Sequence, residues 1–314
     1  MMFPMEDATI DVVLEHRTEF ERLTRIPLPS TESMRIASDK AATIHLAQNL
    51  GIPIPKTYWP DSDVELSQLM SEISFPAVIK PTHGSGSRGL RYAATPSELV
   101  DAYRIVNKTS HRPLIQELIP RTGQGVGAAM LFDSNHQPVA GFTYKRIREY
   151  PINGGPSTLR ESTHDPELLA MATKLLTELN WYGVAMVEFK IDPRDGVPRL
   201  MEINPRFWGS LELAIVSGVD FPNLLYQMVM GATVHPVFSY EVGVKCRWLV
   251  PGDILHFLAD PERLHLEPSF FTFVEPGLHY DDFSRDDLRG SFATVVCTAA
   301  QALRPRMWKI AIAR

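Results

Sequence analysis

Two cysteines in 314 residues, Cys246 and Cys297, are too few for a disulfide framework and too far apart for a zinc knuckle. The chain must therefore hold itself together with an ordinary apolar core, and a reducing cytoplasm is the expected compartment. No uninterrupted apolar stretch approaches the ~20 residues that a membrane-spanning helix needs. The opening Met1-Met2-Phe3-Pro4-Met5-Glu6-Asp7 also lacks the basic lead and apolar run of a secretory signal. Positive charge is not in excess: 31 Lys and Arg against 37 Asp and Glu leave a formal charge of −6. That balance argues against general attraction to nucleic acid or to an anionic membrane, so any anionic ligand must meet a local basic site. Internal repeats and low-complexity segments are missing too. What is present is a chain with 44% hydrophobic residues, long enough for a two-lobed globule or two modest domains.

Residues 1–38 hold short apolar runs, such as 10–14, and a turn-rich Ile26-Pro27-Leu28-Pro29-Ser30 that reads as a linker. Asp39 can cap a helix whose apolar face is Ile44, Ala47 and Leu50, stopped by Gly51 with Pro53 beyond. Residues 75–80 read as a strand, followed by a glycine loop, a second strand over 90–93 and a helix from about Pro96. A strand over 114–119 and a glycine-interrupted strand region reaching Thr143 come next. Asp165-Pro166 opens a helix with Leu168, Ala172, Leu175 and Leu179 on one face. Beyond His235 the pattern alternates short strands and loops, and the tail over 304–314, with four basic residues around Met307, Trp308 and Ile310, reads as a surface helix rather than a membrane anchor.

Gly84-Ser85-Gly86-Ser87-Arg88-Gly89 fits a G-x-G-x-x-G pattern, which lets backbone N–H groups come close to a phosphate. A dinucleotide fold would need a helix to start at this loop and an acid about 20 residues on. Here the strand-like Leu90-Arg91-Tyr92-Ala93 follows instead. A P-loop would need Lys and then Ser or Thr after the last glycine, where Leu90-Arg91 stands. A flap between two strands and an ordinary glycine-rich turn both remain. Lys80, four residues upstream in an apolar strand pattern, either snorkels to water or pairs with an anion held by the loop.

Residues 182–191 read as a strand, Asp192-Pro193-Arg194-Asp195-Gly196 as its turn and 199–204 as the returning strand. A turn centred near Asp195 places Glu188 opposite Glu202. Opposed Cβ atoms lie roughly 4.5–5.5 Å apart, so the two carboxylates repel unless a cation sits between them. Alternation puts Asn204 on the same face and sends Met201 and Ile203 the other way. Two carboxylates and an amide oxygen make an all-oxygen donor set suited to Mg²⁺. The competing reading is a solvated face on which Glu188, Lys190 and Glu202 form ordinary surface pairs.

Taken in order, Asp39-Lys40, Phe75-Pro76-Ala77-Val78-Ile79-Lys80-Pro81, the glycine loop, Gln116-Glu117-Leu118-Ile119-Pro120, Val187-Glu188-Phe189 and Met201-Glu202-Ile203-Asn204-Pro205-Arg206-Phe207 resemble the ATP-grasp superfamily. The likeness spans roughly residues 38–235. The branch it resembles is the carboxylate–amine ligases related to carbamoyl-phosphate synthase and D-alanine–D-alanine ligase. It implies an α+β fold in which two α+β lobes grip ATP between them behind a truncated N-terminal pre-grasp segment. The expected division is 1–38 as that remnant and linker, and 39–235 as the ATP-grasp domain, with a small lobe and flap over 39–115 and a large lobe with the metal site over 116–235. Residues 236–314 are expected to form a C-terminal subdomain.

By the same resemblance, Lys40 and Lys80 contact the nucleotide phosphates, Gly86 and Ser87 lie in the closing flap, and Gln116, Glu117 and Ile119 form the adenine hinge. Glu188, Glu202 and Asn204 hold one or two Mg²⁺ ions, with Mn²⁺ as the alternative. Arg206 faces the transferring phosphoryl group or the substrate carboxylate. The basic segment Tyr144-Lys145-Arg146-Ile147-Arg148-Glu149-Tyr150 resembles the substrate-side loop, with Arg160 beside it. The implied activity is ATP-dependent amide formation through an acyl phosphate, on small-molecule carboxylate and amine substrates. The alternative is a non-catalytic ATP-binding regulatory or assembly subunit. A biotin-dependent carboxylase fits less well, because no biotin-carrier motif is present. Departures from the pattern are the short stretch before Asp39, Arg121 where a glycine commonly ends the hinge, and no clear ribose-binding acid, which leaves Gln124. The short start implies a homo-oligomer or a partner that completes the substrate wall.

Overall fold

The computed structural model describes residues 1–84, 89–110, 112–152, 154–284 and 286–302. In chain order its main elements are α1 (Asp7–Glu15), α2 (Arg17–Leu23), α3 (Thr31–Ser38), α4 (Lys40–Asn49), β1 (Thr57–Tyr58), α5 (Asp63–Leu69), β2 (Ala77–Lys80), β3 (Arg91–Ala93), α6 (Pro96–Asn107), β4 (Leu114–Glu117), β5 (Gly125–Phe132) and β6 (Pro138–Glu149). There follow β7 (Ser157–Thr163), α7 (Pro166–Glu178), β8 (Gly183–Ile191), β9 (Pro198–Asn204), α8 (Leu211–Val216), α9 (Phe221–Val229), β10 (Lys245–Arg247), α10 (Ile254–Ala259), β11 (Leu278–Tyr280) and α11 (Leu288–Ala302). The flap residues Gly86 and Ser87 and the tail over 304–314 lie outside the described residues.

Helix starts follow capping chemistry. Asp39 Oδ1 accepts from Ala41 N and Ala42 N at 2.8 and 3.0 Å, and Asp165 Oδ1 from Glu167 N and Leu168 N at 3.1 and 3.0 Å. These side chains satisfy donors that the first helical turn leaves without a backbone partner. Proline in the first turn of α6 and α7 fits where no N–H is needed. Gly51, at φ +67°, ends the run after α4.

The chain divides into two units that interleave along the sequence. One comprises Met1–Thr143, Asp165–Trp208 and Asp220–Phe238; the other comprises Tyr144–His164, Gly209–Val219 and the described residues from Ser239 onward. In the first unit, β1-β4-β2-β3 form an antiparallel sheet. Ala77, Ile79 and Ile115 of that sheet pack with Leu66, Leu99, Tyr103 and Val106 of α5 and α6. The same unit holds antiparallel β9-β8-β5 and the start of β6. Ala128, Met130 and Phe132 alternate along β5 and Ala185, Val187 and Phe189 along β8, and all share one core with Leu168, Ala172, Leu175 and Leu176 of α7, which packs on β5. Period-two strands thus face a period-3.6 helix, and each large apolar side chain buried there contributes about 1.5–3 kcal/mol.

The N-terminal stretch is more structured than its composition implies. Ile26 and Leu28, expected in a linker, are 7% and 8% exposed and share the large core with Ile10 and Val13 of α1. Proline-rich chain can lie extended on a core as well as turn, and sequence alone does not separate the two. At Gly183, where φ is +92°, a Cβ would sit 2.3 Å from the Pro27 carbonyl oxygen, so only glycine lets this segment approach the start of β8.

In the second unit the later part of β6 joins β7, β10 and β11; β10 runs antiparallel to β7 and parallel to β11. Its centre is ionic. Asp253, fully buried, accepts from Arg148 Nε and Nη2 at 2.8 and 3.0 Å, Arg247 Nε at 2.6 Å and Thr158 Oγ1 at 3.0 Å. The stretch after His235 contains helices as well as the short strands expected of it, including the fifteen-residue α11. Among the described residues, no helix is long and apolar enough to cross a membrane.

Candidate functional site

The hairpin of β8 and β9 carries the acidic pair. Ile191 pairs with Pro198, Lys190 with Arg199 and Phe189 with Leu200; the register then shifts, and Glu188 stands opposite Glu202, Val187 opposite Ile203 and Met186 opposite Asn204. Without the shift Glu188 would face Met201. The bulge inserts Met201 and brings the two carboxylates into opposition, a common way for a sheet to re-aim side chains beside a site. It also breaks the expected alternation, because Leu200 and Ile203 both enter the core.

The hairpin turn is tied down by charge. Asp192, fully buried, accepts from Arg194 Nε at 2.8 Å and lies 3.0 Å from Arg199 Nη1. Arg194 Nη2 reaches Glu117 Oε2 at 3.0 Å, and Lys56 N donates to Glu117 Oε1 at 2.9 Å. The end of β4 is thereby pinned to the turn. Neighbouring Gln116 is buried, with its Nε2 donating to Thr57 Oγ1 at 2.9 Å, and Ile119 is buried as well.

Both lysines converge on the acidic hairpin. α3 and α4 pack on β9, and Lys40 N donates to Thr82 O at 2.9 Å. The Lys40 ammonium then sits 3.1 Å from Glu202 Oε2 and donates to the Gly84 carbonyl. Crowding by protein atoms strips water from the Lys80 ammonium and pushes its pKa down to about 8; Glu202 opposes the fall, and Lys40 and Lys190 add to it. Lys40, Thr43, His83, Gly84, Glu202 and Asn204 line one pocket with Asp7, Ile10 and Asp11 of α1.

Two carboxylates and an amide oxygen are hard donors that fit Mg²⁺ when phosphate and water complete its shell. The Lys40 ammonium already stands beside Glu202, at 3.1 Å. Among the described residues, no three His, Cys, Asp or Glu side chains gather as a metal cluster, so this donor set depends on Asn204 and on ligand oxygens.

Solved structures share this arrangement of sheets and helices. The biotin carboxylase domain of Hydrogenobacter thermophilus 2-oxoglutarate carboxylase, in complex with MgADP, ADP and bicarbonate, superposes with a TM-score of 0.63 at 19% identity, over 74% of this chain and 55% of that one. The chain has the ATP-grasp fold. A family model described as "ATP-grasp in the biosynthetic pathway with Ter operon" matches residues 144–250. Among curated proteins, the ATP-grasp chain is 27% identical to the chloroplastic biotin carboxylase of Arabidopsis thaliana over 306 residues, covering 88% of this chain and 55% of that protein. It is 25% identical to the D-alanine–D-alanine ligase of Paracidovorax citrulli, over 73% of this chain and 71% of that one. The chain thus spans about half the length of the carboxylase it matches.

Within the ATP-grasp chain, the first unit brings together Lys40, Lys80, Glu202 and Asn204, with Glu188 opposite Glu202. Gln116, Glu117 and Ile119 lie together at the end of β4. Arg206 does not point free into the pocket: its Nε and Nη2 donate to Asp7 at 2.6 and 3.3 Å, and its Nη1 to Phe207 O at 3.1 Å. In the second unit, Lys145 Nζ lies 2.7 Å from Glu161 Oε1, and Arg146 Nη1 lies 3.6 Å from Glu149 Oε2 and 3.3 Å from Gly155 O. Arg160 is 1% exposed and bound to Asp281. Arg148, read with this basic segment as substrate-facing, is instead enclosed against Asp253. Sequence reading missed Asp7 and Asp11. Their four-residue spacing around buried Ile10 was the available signal, and it is legible only once residues 7–15 are taken as a helix.

Proposed function

We propose that this chain is an ATP- and Mg²⁺-dependent ligase that phosphorylates a carboxylate and passes the acyl group to an amine, forming an amide with release of ADP and phosphate. The observation that carries the reading is the opposition of Glu188 and Glu202 across β8 and β9, with the Lys40 ammonium 3.1 Å from Glu202. Similarity to D-alanine–D-alanine ligase supports the choice of an amine as acceptor, and the family model's biosynthetic description supports a small-molecule product.

A carboxylate resists attack because its charge is delocalised, and phosphorylation gives it a leaving group. Phosphoryl transfer needs alignment and charge neutralisation more than covalent help. Lys40 and Lys80 supply positive charge at the phosphates, and a bound phosphate favours the charged form of Lys80 against the burial that lowers its pKa. Glu188, Glu202 and Asn204 would hold Mg²⁺, or Mn²⁺ in its place, which neutralises phosphate charge when bound. The end of β4 meets the base mainly through backbone, because the Gln116 and Ile119 side chains are turned into the protein; Glu117 holds the hinge to Arg194. Gly86 and Ser87, outside the described residues, are assigned to the phosphates by the resemblance alone, and keeping water away there would protect the intermediate. Arg206 faces the transferring phosphoryl group. Lys145 and Arg146 neutralise the incoming carboxylate after exchanging their present partners, while Arg160, enclosed with Asp281, supports β7 rather than touching substrate.

The test is Mg²⁺-dependent ADP formation with candidate carboxylates, using hydroxylamine to capture an acyl phosphate. Glu202→Ala is expected to lower the rate by about 100-fold or more. Wild-type turnover in that variant would sink the assignment. Nucleotide binding with no turnover on any carboxylate would favour the non-catalytic subunit instead, and turnover on bicarbonate without an amine would favour carboxylation.

A further inference from the structure

The helix that precedes the lobes carries a group aimed at the site. Asp7, in the first turn of α1, takes Arg206 in a two-pronged pair, with Nε at 2.6 Å from Oδ1 and Nη2 at 3.3 Å from Oδ2. α1 is not a loose arm: Ile10 and Val13 are each 2% exposed and sit in the large core. The segment before it also packs on the same stretch, with the Phe3 and Phe207 rings edge to face at 6.1 Å. Asp7 lies three residues before Ile10 and shares its face, and both line the pocket that holds Lys40, Glu202 and Asn204.

We infer that Asp7 is a positioning residue for the phosphoryl site: it fixes the plane and direction of the Arg206 guanidinium, and α1 thereby serves as the wall that closes this end of the pocket. The inference rests on the proposed role of Arg206. A planar guanidinium bound through two nitrogens has one orientation, whereas one bound through a single nitrogen rotates. The Asp7 side chain is 46% exposed and that of Arg206 17% exposed, and a pair so open to water adds little stability. Its consequence is therefore orientation rather than cohesion, and among the described residues Arg206 Nη1 donates to the adjacent Phe207 carbonyl, a bond that an anion can replace.

The test needs no knowledge of the carboxylate. The dissociation constant of MgADP is measured by calorimetry with and without aluminium fluoride, which mimics the transferring phosphoryl group, for the wild type and for Arg206→Ala, Asp7→Asn and Asp7→Glu. Melting temperature serves as the control for folding. In the wild type, aluminium fluoride is expected to tighten MgADP binding. Arg206→Ala is expected to abolish that tightening, Asp7→Asn to reduce it about tenfold with melting temperature unchanged, and Asp7→Glu to retain much of it. Loss in Arg206→Ala with full tightening in Asp7→Asn would overturn the positioning role while leaving Arg206 at the phosphoryl site. A wild type that binds MgADP without tightening, or an Arg206→Ala that still tightens, removes Arg206 from that site and the inference with it. No binding of MgADP at all defeats the nucleotide reading itself.

Discussion

The two units hold their charges in opposite ways. In the second, Asp253 is fully buried and is taken by Arg148, Arg247 and Thr158, with Arg148 4% and Arg247 1% exposed. Arg247 also donates to the Phe270 and Thr272 carbonyls and lies over the Phe270 ring at 4.6 Å. In the first, Lys40 and Glu202 are 15% and 23% exposed, 3.1 Å apart. An ion pair out of reach of water has nowhere to go, because breaking it strands a charge in a medium that cannot solvate it. A pair at a pocket wall can exchange its partner for a ligand at little cost. Oppositely charged side chains therefore fasten one unit and remain available in the other, and burial separates the two roles.

That contrast breaks down if the two ionic groups respond alike to mutation. The largest effect is expected at Asp253→Ala, which leaves two guanidiniums enclosed without their acceptor and should cost about 3–5 kcal/mol in a denaturant titration. Asp253→Asn should cost less, because the amide oxygen still accepts. At Gly183→Ala, where φ is +92° and the Pro27 oxygen leaves no room for a Cβ, a loss of about 2–3 kcal/mol is expected; a neutral result would mean that the N-terminal segment is not seated against β8. Lys40→Ala sharpens the comparison from the other side. Stability should change by less than about 1 kcal/mol, while the dissociation constant of MgATP rises about tenfold, equivalent to roughly 1.4 kcal/mol.

The smallest effect is a proton. In the folded chain Lys80 titrates at about 8, below its usual 10.5, because burial disfavours its charge. Between these values the unfolded chain binds more protons than the folded one, so this group's contribution to stability rises with pH across that window and is constant below it. A bound phosphate favours the charged form and raises the pKa again. MgADP binding just above pH 8 should therefore take up a proton, seen as a calorimetric enthalpy that varies with the ionisation heat of the buffer. Lys80→Met should remove the dependence.

Much of the first unit is legible in the sequence because its signals are local. Asp39 and Asp165 announce helix starts, Gly51 a stop, and the turn over 192–196 sets a hairpin. The opposition of Glu188 and Glu202 follows from counting outward from Asp195, yet the structure reaches it by a turn centred half a residue earlier and a bulge at Met201. Two small displacements cancel, and neither is written in the hydrophobic pattern. The second unit was harder to read because its partners are remote: Arg148 and Asp253 are 105 residues apart, and Arg160 and Asp281 are 121 apart. A run of basic residues looks the same whether it faces a substrate or a buried carboxylate. Residues 1–38 were underestimated for a related reason, since short apolar runs declare themselves as core only when the surface they cover is known.

The sequence by itself determined the caps, the strand periods, the ordered motif residues and the acidic hairpin, all of which depend on neighbours within a few positions. Only the tertiary structure decided which charges are enclosed, which are exchangeable, and that Asp7 of the first helix meets Arg206, 199 residues away. The physical reason is that burial and pairing are properties of surfaces brought together by folding, and a side chain's chemistry is set by what surrounds it there.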